Sequence, residues 1–345
     1  MPRIEIRTSP HIKSTRSVEQ IMRNVVWALL PVCAWAVWQF GISALLLIVT
    51  VTASCLATEY LFSRLSGRGN TLLDYSATIT GLLLALTLPP AFPLWMGALS
   101  GFFAIALGKA LFGGLGFNLF NPALVGRAFA QAAFPAAITT WSAPGLAERF
   151  TGLPPSTLAL PFTTPAPIDA WSGATPLGQW KFEGESASLV DLFTGMVAGS
   201  AGETSALLIL AGGLYLAWRR MLDWRIPAAV LGGAALTALP FWLLDPGHYP
   251  DPLFILFSGG LMLGAWFMAS DMVASPVTPL GLWIYGLMIG FLAVIIRLFG
   301  GQPEGVMYAI LLGNAMSPLI EQFTQPRIYG RVRPKPVAEE KEGKS

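Results

Sequence analysis

Charged side chains are scarce in this chain. Asp, Glu, Lys and Arg make up 12% of its 345 residues, against about 25% in soluble globular proteins. Hydrophobic residues reach 54% and the mean hydropathy is +0.60. An ordinary soluble globule is excluded, and a net charge of +2 implies no nucleic-acid partner. Chemistry-bearing side chains are just as few. The two cysteines, Cys33 and Cys55, lie in apolar stretches and form no CxxC, so the chain supplies no thiolate set for zinc or an iron–sulfur cluster. They read as buried thiols acting as small hydrophobes. His11 and His248 stand alone, so no His/Glu metal cluster is available. No G-x-G-x-x-G and no P-loop occur, which removes a dinucleotide fold and an ATPase. No catalytic residue is expected.

What is present is membrane-length apolar sequence. Ten stretches, 24–40, 41–62, 73–89, 93–112, 120–135, 204–218, 226–244, 253–269, 280–299 and 304–321, approach the roughly 17 to 25 residues needed to cross about 30 Å of hydrocarbon. The expected fold is all-α and polytopic, with about ten transmembrane helices. The stretch 120–135 is short and carries Asn121, Arg127 and Gln131, so a half-span or re-entrant segment is an equal reading there. The divisions are a cytoplasmic segment at 1–23, a first membrane half at 24–135, a polar loop at 136–203, a second membrane half at 204–321 and a charged tail at 322–345. The basic N-terminal segment runs into an apolar stretch without a small-residue cleavage site, so the first span is expected to stay uncleaved.

Basic residues then set the direction. With both termini in the cytoplasm, Arg23, Arg64, Arg68, Arg219, Arg220, Arg225 and the basic residues of both ends lie inside. Only Arg149, Lys181 and Arg297 lie outside. Five spans before residue 136 place the 136–203 loop on the extracytoplasmic side.

Within that loop lies Asp169-Ala170-Trp171-Ser172-Gly173-Ala174-Thr175. A hydroxyl beside Gly173 and Ala174 is expected to be sterically open, on a bent, protruding backbone. No His, Lys or Cys adjoins it in sequence to serve as a base, so Thr175 reads as an acceptor of a modification and not a nucleophile in its own right. Asp169, Ser172, Gly173, Ala174 and Thr175 fit the pattern D-x-x-[ST]-G-A-T in register. The pattern resembles the site at which an ApbE-type flavin transferase attaches FMN to threonine through a phosphoester. It is found in the membrane-subunit family shared by the Rnf and Na+-translocating NADH:quinone reductase complexes.

Gly116-Phe117-Asn118-Leu119-Phe120-Asn121-Pro122-Ala123-Leu124-Val125-Gly126-Arg127-Ala128-Phe129 extends the resemblance, which covers nearly the whole chain. It implies a second, noncovalent flavin, riboflavin, near the cytoplasmic end. Asn118 and Asn121 have amides suited to a pyrimidine edge, although Asn121-Pro122 equally reads as a helix cap. Arg127 is a guanidinium in an apolar run, fit to stabilise an anionic flavin, to pair with a partner or to snorkel. Glu59, Asp74, Lys109 and Asp271 read as boundary residues, with Asp74 and Asp271 as ion-path candidates.

Weak internal symmetry relates Pro90, Trp95, Gly113-Gly114 and Pro122 to Pro279, Trp283, Gly300-Gly301 and Pro318. The resemblance turns this into two inverted, urea-transporter-like repeats. It also implies a multi-pass protein of the bacterial inner membrane that relays electrons between ferredoxin and NAD, coupled to Na+ or H+ translocation. The implied partners are the A, B, C, E and G proteins of the Rnf complex, the flavin transferase and membrane lipid. The 23-residue N-terminal segment favours the Rnf branch over the corresponding B component of the quinone reductase. A solute channel or carrier with the same spans is the alternative of another class, and it predicts a colourless, unmodified protein.

Overall fold

The computed structural model describes residues 17–67, 71–161, 163, 173–203 and 205–326. Among them the regular structure is helical, without a β-strand. Ser17 opens α1 (Val18–Phe40) by accepting a hydrogen bond from the Gln20 N–H at 3.2 Å. Gly41 ends it and starts α2 (Ile42–Leu65) at φ +76. A Cβ there would lie 1.9 Å from the Arg149 carbonyl oxygen, which accepts the Ile42 N–H at 3.0 Å, so a side chain has no room at this corner.

The chain continues as α3 (Ser76–Thr87), α4 (Leu94–Ile105) with a π turn over Ala106–Ala110, α5 (Pro122–Ala133) and α6 (Pro135–Ile138). The polar loop carries α7 (Pro176–Glu183) and α8 (Leu189–Thr194). Then follow α9 (Ala206–Trp218), α10 (Arg225–Leu244), α11 (Pro252–Phe257), α12 (Leu261–Leu263) with a π turn over Gly264–Met268, α13 (Pro279–Phe299) and α14 (Val306–Thr324). Asn121, Thr175, Asp251 and Thr278 each cap a helix that begins with proline, whose missing N–H and fixed φ suit the first position.

The ten apolar stretches are all helical, but they are not ten equal rods. Four helices, α1, α2, α10 and α13, are long and apolar enough to cross a membrane. The stretches 73–89, 93–112 and 204–218 form shorter apolar helices; a 12-residue helix such as α3 rises only about 18 Å. The stretch 120–135 breaks at Phe134 between α5 and α6, and 253–269 breaks at Ser258–Gly260 between α11 and α12. This is a helical, multi-pass membrane protein with discontinuous segments near its centre.

The main core is a cluster running from Leu29 and Leu47 through Leu84, Ile105 and Ile209 to Leu263, Tyr285 and Ile310. α2 packs on α3 and α4, and α10 on α13. α4 also meets α5 and α13 meets α14, while α1–α9 and α5–α14 contacts join the two sets. The polar loop closes one end of the bundle. Gly145 donates to the Gln39 carbonyl, Leu94 donates to that of Thr157, and Ala201 donates to that of Leu88, at 3.1, 3.1 and 3.0 Å. Cys33 and Cys55 are buried and unpaired, as their apolar setting predicted.

Candidate functional site

Thr175 is the N-cap of α7, with extended backbone (φ −72, ψ 152), and its Oγ1 accepts the Gly178 N–H at 3.1 Å. Leu177 anchors the helix on Leu192 and Phe254. Lys181, in the last turn, donates to the carbonyl oxygens of Arg297 (2.9 Å), Gly300 and Gln302 (3.2 Å), pinning α7 to the end of α13. Partial burial holds the Lys181 ammonium below its usual pKa. Gly173 donates to the Trp141 carbonyl at 2.9 Å. Asp169 and Ser172 lie outside the described residues.

The hydroxyl is not the protruding group expected from its small neighbours. Thr175 is 9% exposed, because capping α7 turns its side chain inward, toward a small pocket that it lines with Leu192, Ser200, Glu203, Gly259 and Glu304.

Arg127 lies beneath this pocket, away from Asn118. Its Nη1 donates to Glu203 Oε1 at 2.9 Å and to the Thr87 carbonyl at 2.7 Å, and its Nη2 pairs with Glu304. Ser200 donates to the other Glu203 oxygen at 2.6 Å. The side chain therefore neither snorkels nor reaches the Asn118 region. α5 is short, so the middle of it sits where the returning loop (Glu203) and the turn that leads into α14 (Glu304) can meet it. Burial, then the Glu304 charge, push the Glu203 carboxyl up to about 8, opposed by Arg127. Arg297, expected at the outer surface, is fully buried and donates to the carbonyls of Ile255 (2.7 Å) and Ser258 (3.0 Å), which the break after α11 frees. At that break Gly259 has φ +59, and a Cβ on it would stand 3.2 Å from both Arg297 Nη2 and Glu304 Oε1. Two arginines and two glutamates from α5, the loop, α13 and the segment before α14 thus gather under Thr175.

At the opposite end a cavity of about 100 Å³ is lined by Lys109, Asn118, Asn121, Trp266, Asp271 and neighbouring apolar residues. Asn121 does cap α5, accepting from Ala123 N–H at 3.0 Å, and its amide also donates to the Met268 carbonyl at 3.2 Å. Asn118 donates to the Phe120 carbonyl at 3.2 Å. The Trp266 indole N–H is buried without a hydrogen-bond partner. Loss of water around Asp271 raises its pKa, with the Val273 N–H and Asn118 opposing. Lys109 is not a solvated residue. It is 2% exposed and bonded to Glu59 (2.8 Å) and the Ser76 hydroxyl (2.6 Å), with Asp74 at 3.9 Å.

The structure thus joins Asn118 and Asn121 in one cavity and sets Arg127 and Thr175 at the other end. Glu203, Glu304, Arg297 and Trp266 escaped the sequence analysis as site residues. Glu203 and Glu304 flank apolar runs, where a carboxylate ordinarily marks a boundary.

A family model described as "NQR2, RnfD, RnfE family" matches residues 5–330. The chain is 42% identical over 332 residues to the D component of the ion-translocating oxidoreductase complex of Alcanivorax borkumensis, covering 94% of this chain and 96% of that protein. It is 44% identical over 332 residues to the D component of the Na(+)-translocating ferredoxin:NAD(+) oxidoreductase complex of Acetobacterium woodii, covering 95% of each. It is 40% identical over 338 residues to the D component of the proton-translocating ferredoxin:NAD(+) oxidoreductase complex of Clostridium ljungdahlii, covering 95% of this chain and 96% of that protein.

Proposed function

Because the chain belongs to the NQR2, RnfD, RnfE family, we propose that it is the flavin-carrying membrane subunit of an Rnf-type complex. It relays electrons between ferredoxin and NAD, coupled to Na+ or H+ translocation. It is part of an ion-translocating oxidoreductase and not a complete enzyme alone. Near-complete coverage of relatives whose names specify ferredoxin:NAD(+) oxidoreductase complexes supports this assignment. The observation that carries the flavin is Thr175 itself, the last residue of a D-x-x-S-G-A-T sequence and the N-cap of α7.

An FMN phosphoester on Thr175 replaces the hydroxyl proton with a phosphate, which the N–H groups of the first α7 turn and the positive end of the helix dipole favour. The group supplies reversible electron storage when attached. The chain's own part is to fix the acceptor on a helix clamped by Lys181 and Leu177. A riboflavin belongs, on the same proposal, to the cavity at the other end, where the unpartnered Trp266 N–H and the amides of Asn118 and Asn121 meet a polar ring edge. The A, B, C, E and G proteins of the complex supply the remaining redox centres, and an ApbE-type transferase adds the FMN.

In the bacterial inner membrane the chain crosses ten times, with both termini inside and the 136–203 loop outside. Helix pairing supports two inverted repeats: α2 on α4 corresponds to α10 on α13, and α4 on α5 to α13 on α14. The test is intact and peptide mass spectrometry with in-gel flavin fluorescence, comparing the native chain with Thr175→Ala. An FMN mass on the Thr175 peptide, lost in the variant, is expected. An unmodified Thr175 in a host with an active flavin transferase overturns the proposal.

A further inference from the structure

The start of α1 and the end of α9 flank an open groove at the end of the bundle away from Thr175. Its volume is about 550 Å³, and Gln20, Arg23, Asn24, Trp27, Tyr215 and Arg219 line it. The lining holds two guanidiniums and no carboxylate. Among the described residues neither Arg23 nor Arg219 has a side-chain ion pair or hydrogen bond. The nearby acids, Glu19 and Asp223, do not line the groove, and Asp223 is occupied by the Arg225 N–H at 3.0 Å.

The floor, by contrast, is satisfied within the chain. Tyr215 donates to Asn24 Oδ1 at 2.7 Å, and the Asn24 amide donates to the Gln20 carbonyl at 2.7 Å. The Tyr215–Asn24 bond ties α9 to α1 and holds the two arginine-bearing turns side by side. One turn deeper along α1, Trp27 is 61% exposed, and beyond it Leu30 on α1 and Leu214 on α9 are exposed apolar side chains. Charge at the mouth, an indole below it and aliphatic surface beyond is the polarity profile of a phospholipid from headgroup to acyl chain.

We propose that this groove binds the phosphodiester headgroup of an anionic phospholipid, with its phosphate between Arg23 and Arg219 and its glycerol and upper acyl carbons against Trp27. Guanidinium is the side chain suited to grip phosphate oxygens through paired N–H donors. The site needs only that the chain spans a membrane; it does not depend on the flavin.

The test is native mass spectrometry of the full-length chain in zwitterionic detergent, titrated with phosphatidylglycerol, phosphatidylcholine or inorganic phosphate. Wild type is expected to retain one phosphatidylglycerol about 30-fold more tightly than phosphatidylcholine, the weight of two arginines facing a headgroup whose phosphate charge no choline cancels. R23Q/R219Q should lose that preference while unfolding at the same temperature in plain detergent. R23K/R219K keeps the charge without the planar fork and should fall between the two. Should R23Q/R219Q fold poorly, Trp27→Ala keeps both arginines and is expected to weaken phosphatidylglycerol binding by removing the apolar contact. Phosphatidylglycerol held equally by wild type and a folded R23Q/R219Q overturns the proposal. Millimolar inorganic phosphate displacing the lipid overturns it too, by making the groove a general anion site.

Discussion

The Thr175 hydroxyl closes the first turn of α7, and on the proposed function the same oxygen is the point of flavin attachment. Substitutions separate the two roles. Thr175→Ala is expected to lose the flavin and also about 1 kcal/mol of stability with the cap. Thr175→Ser keeps an N-cap oxygen and should retain the stability in thermal unfolding, whatever the flavin transferase does with it. Below, Arg127 holds two carboxylates. Arg127→Met leaves Glu203 and Glu304 facing each other in a buried space, and a loss of about 3–5 kcal/mol is expected in denaturation of the solubilised protein. The same pair makes stability depend on pH. The Glu203 carboxyl titrates near 8 when folded and near 4.3 when unfolded, so the folded state holds the extra proton between those values. The stability that proton brings is complete below the unfolded pKa and is lost as pH rises through about 8. Glu203→Gln should flatten the melting temperature across that window; an unchanged slope would remove Glu203 as its source.

Elements carry the next level, and the corners between them are where sequence and structure part. The apolar runs marked all four helices long and apolar enough to cross a membrane, because hydrophobic composition alone marks them. The true lengths of the other helices were not legible, because the breaks at Phe134 and Ser258–Gly260 depend on what packs against them. Arg297 meets the carbonyls freed by the second break, from residues far away in sequence. The candidate site divides the same way. Asn121 as a helix cap was legible from the Asn-Pro step. Glu203 and Glu304 were not, since only the tertiary fold brings them to Arg127. Gly41 is such a corner too. Gly41→Ala would drive a methyl group into the Arg149 carbonyl and is expected to cost more than about 1 kcal/mol. Limited proteolysis checks it: cleavage within 139–161 should accelerate as the loop leaves the α1–α2 corner.

Across the whole molecule, the described arginines divide between two ends. Arg23, Arg64, Arg219, Arg220 and Arg225 lie at or beyond the ends of α1, α2, α9 and α10 that point away from the loop. Arg149 and Lys181 lie in the loop that covers Gln39, Leu88 and Gly300. Burial of Arg297 removes it from the outer count and strengthens the asymmetry. The loop end should therefore face out of the cytoplasm, and with it Thr175. The protein is well suited to a direct check, because both native thiols are buried, Cys33 at 8% and Cys55 at 0% exposure, and should react little with polar reagents. Ser186 in the loop and Asp223 between α9 and α10 are both exposed. With a membrane-impermeant maleimide on intact cells or spheroplasts, Ser186→Cys is expected to label at once and Asp223→Cys only after permeabilisation. The reverse pattern would turn the molecule over and put Thr175 in the cytoplasm. Equal labelling of both before permeabilisation would mean that α9 does not separate them across the membrane, and the ten-span arrangement would fall.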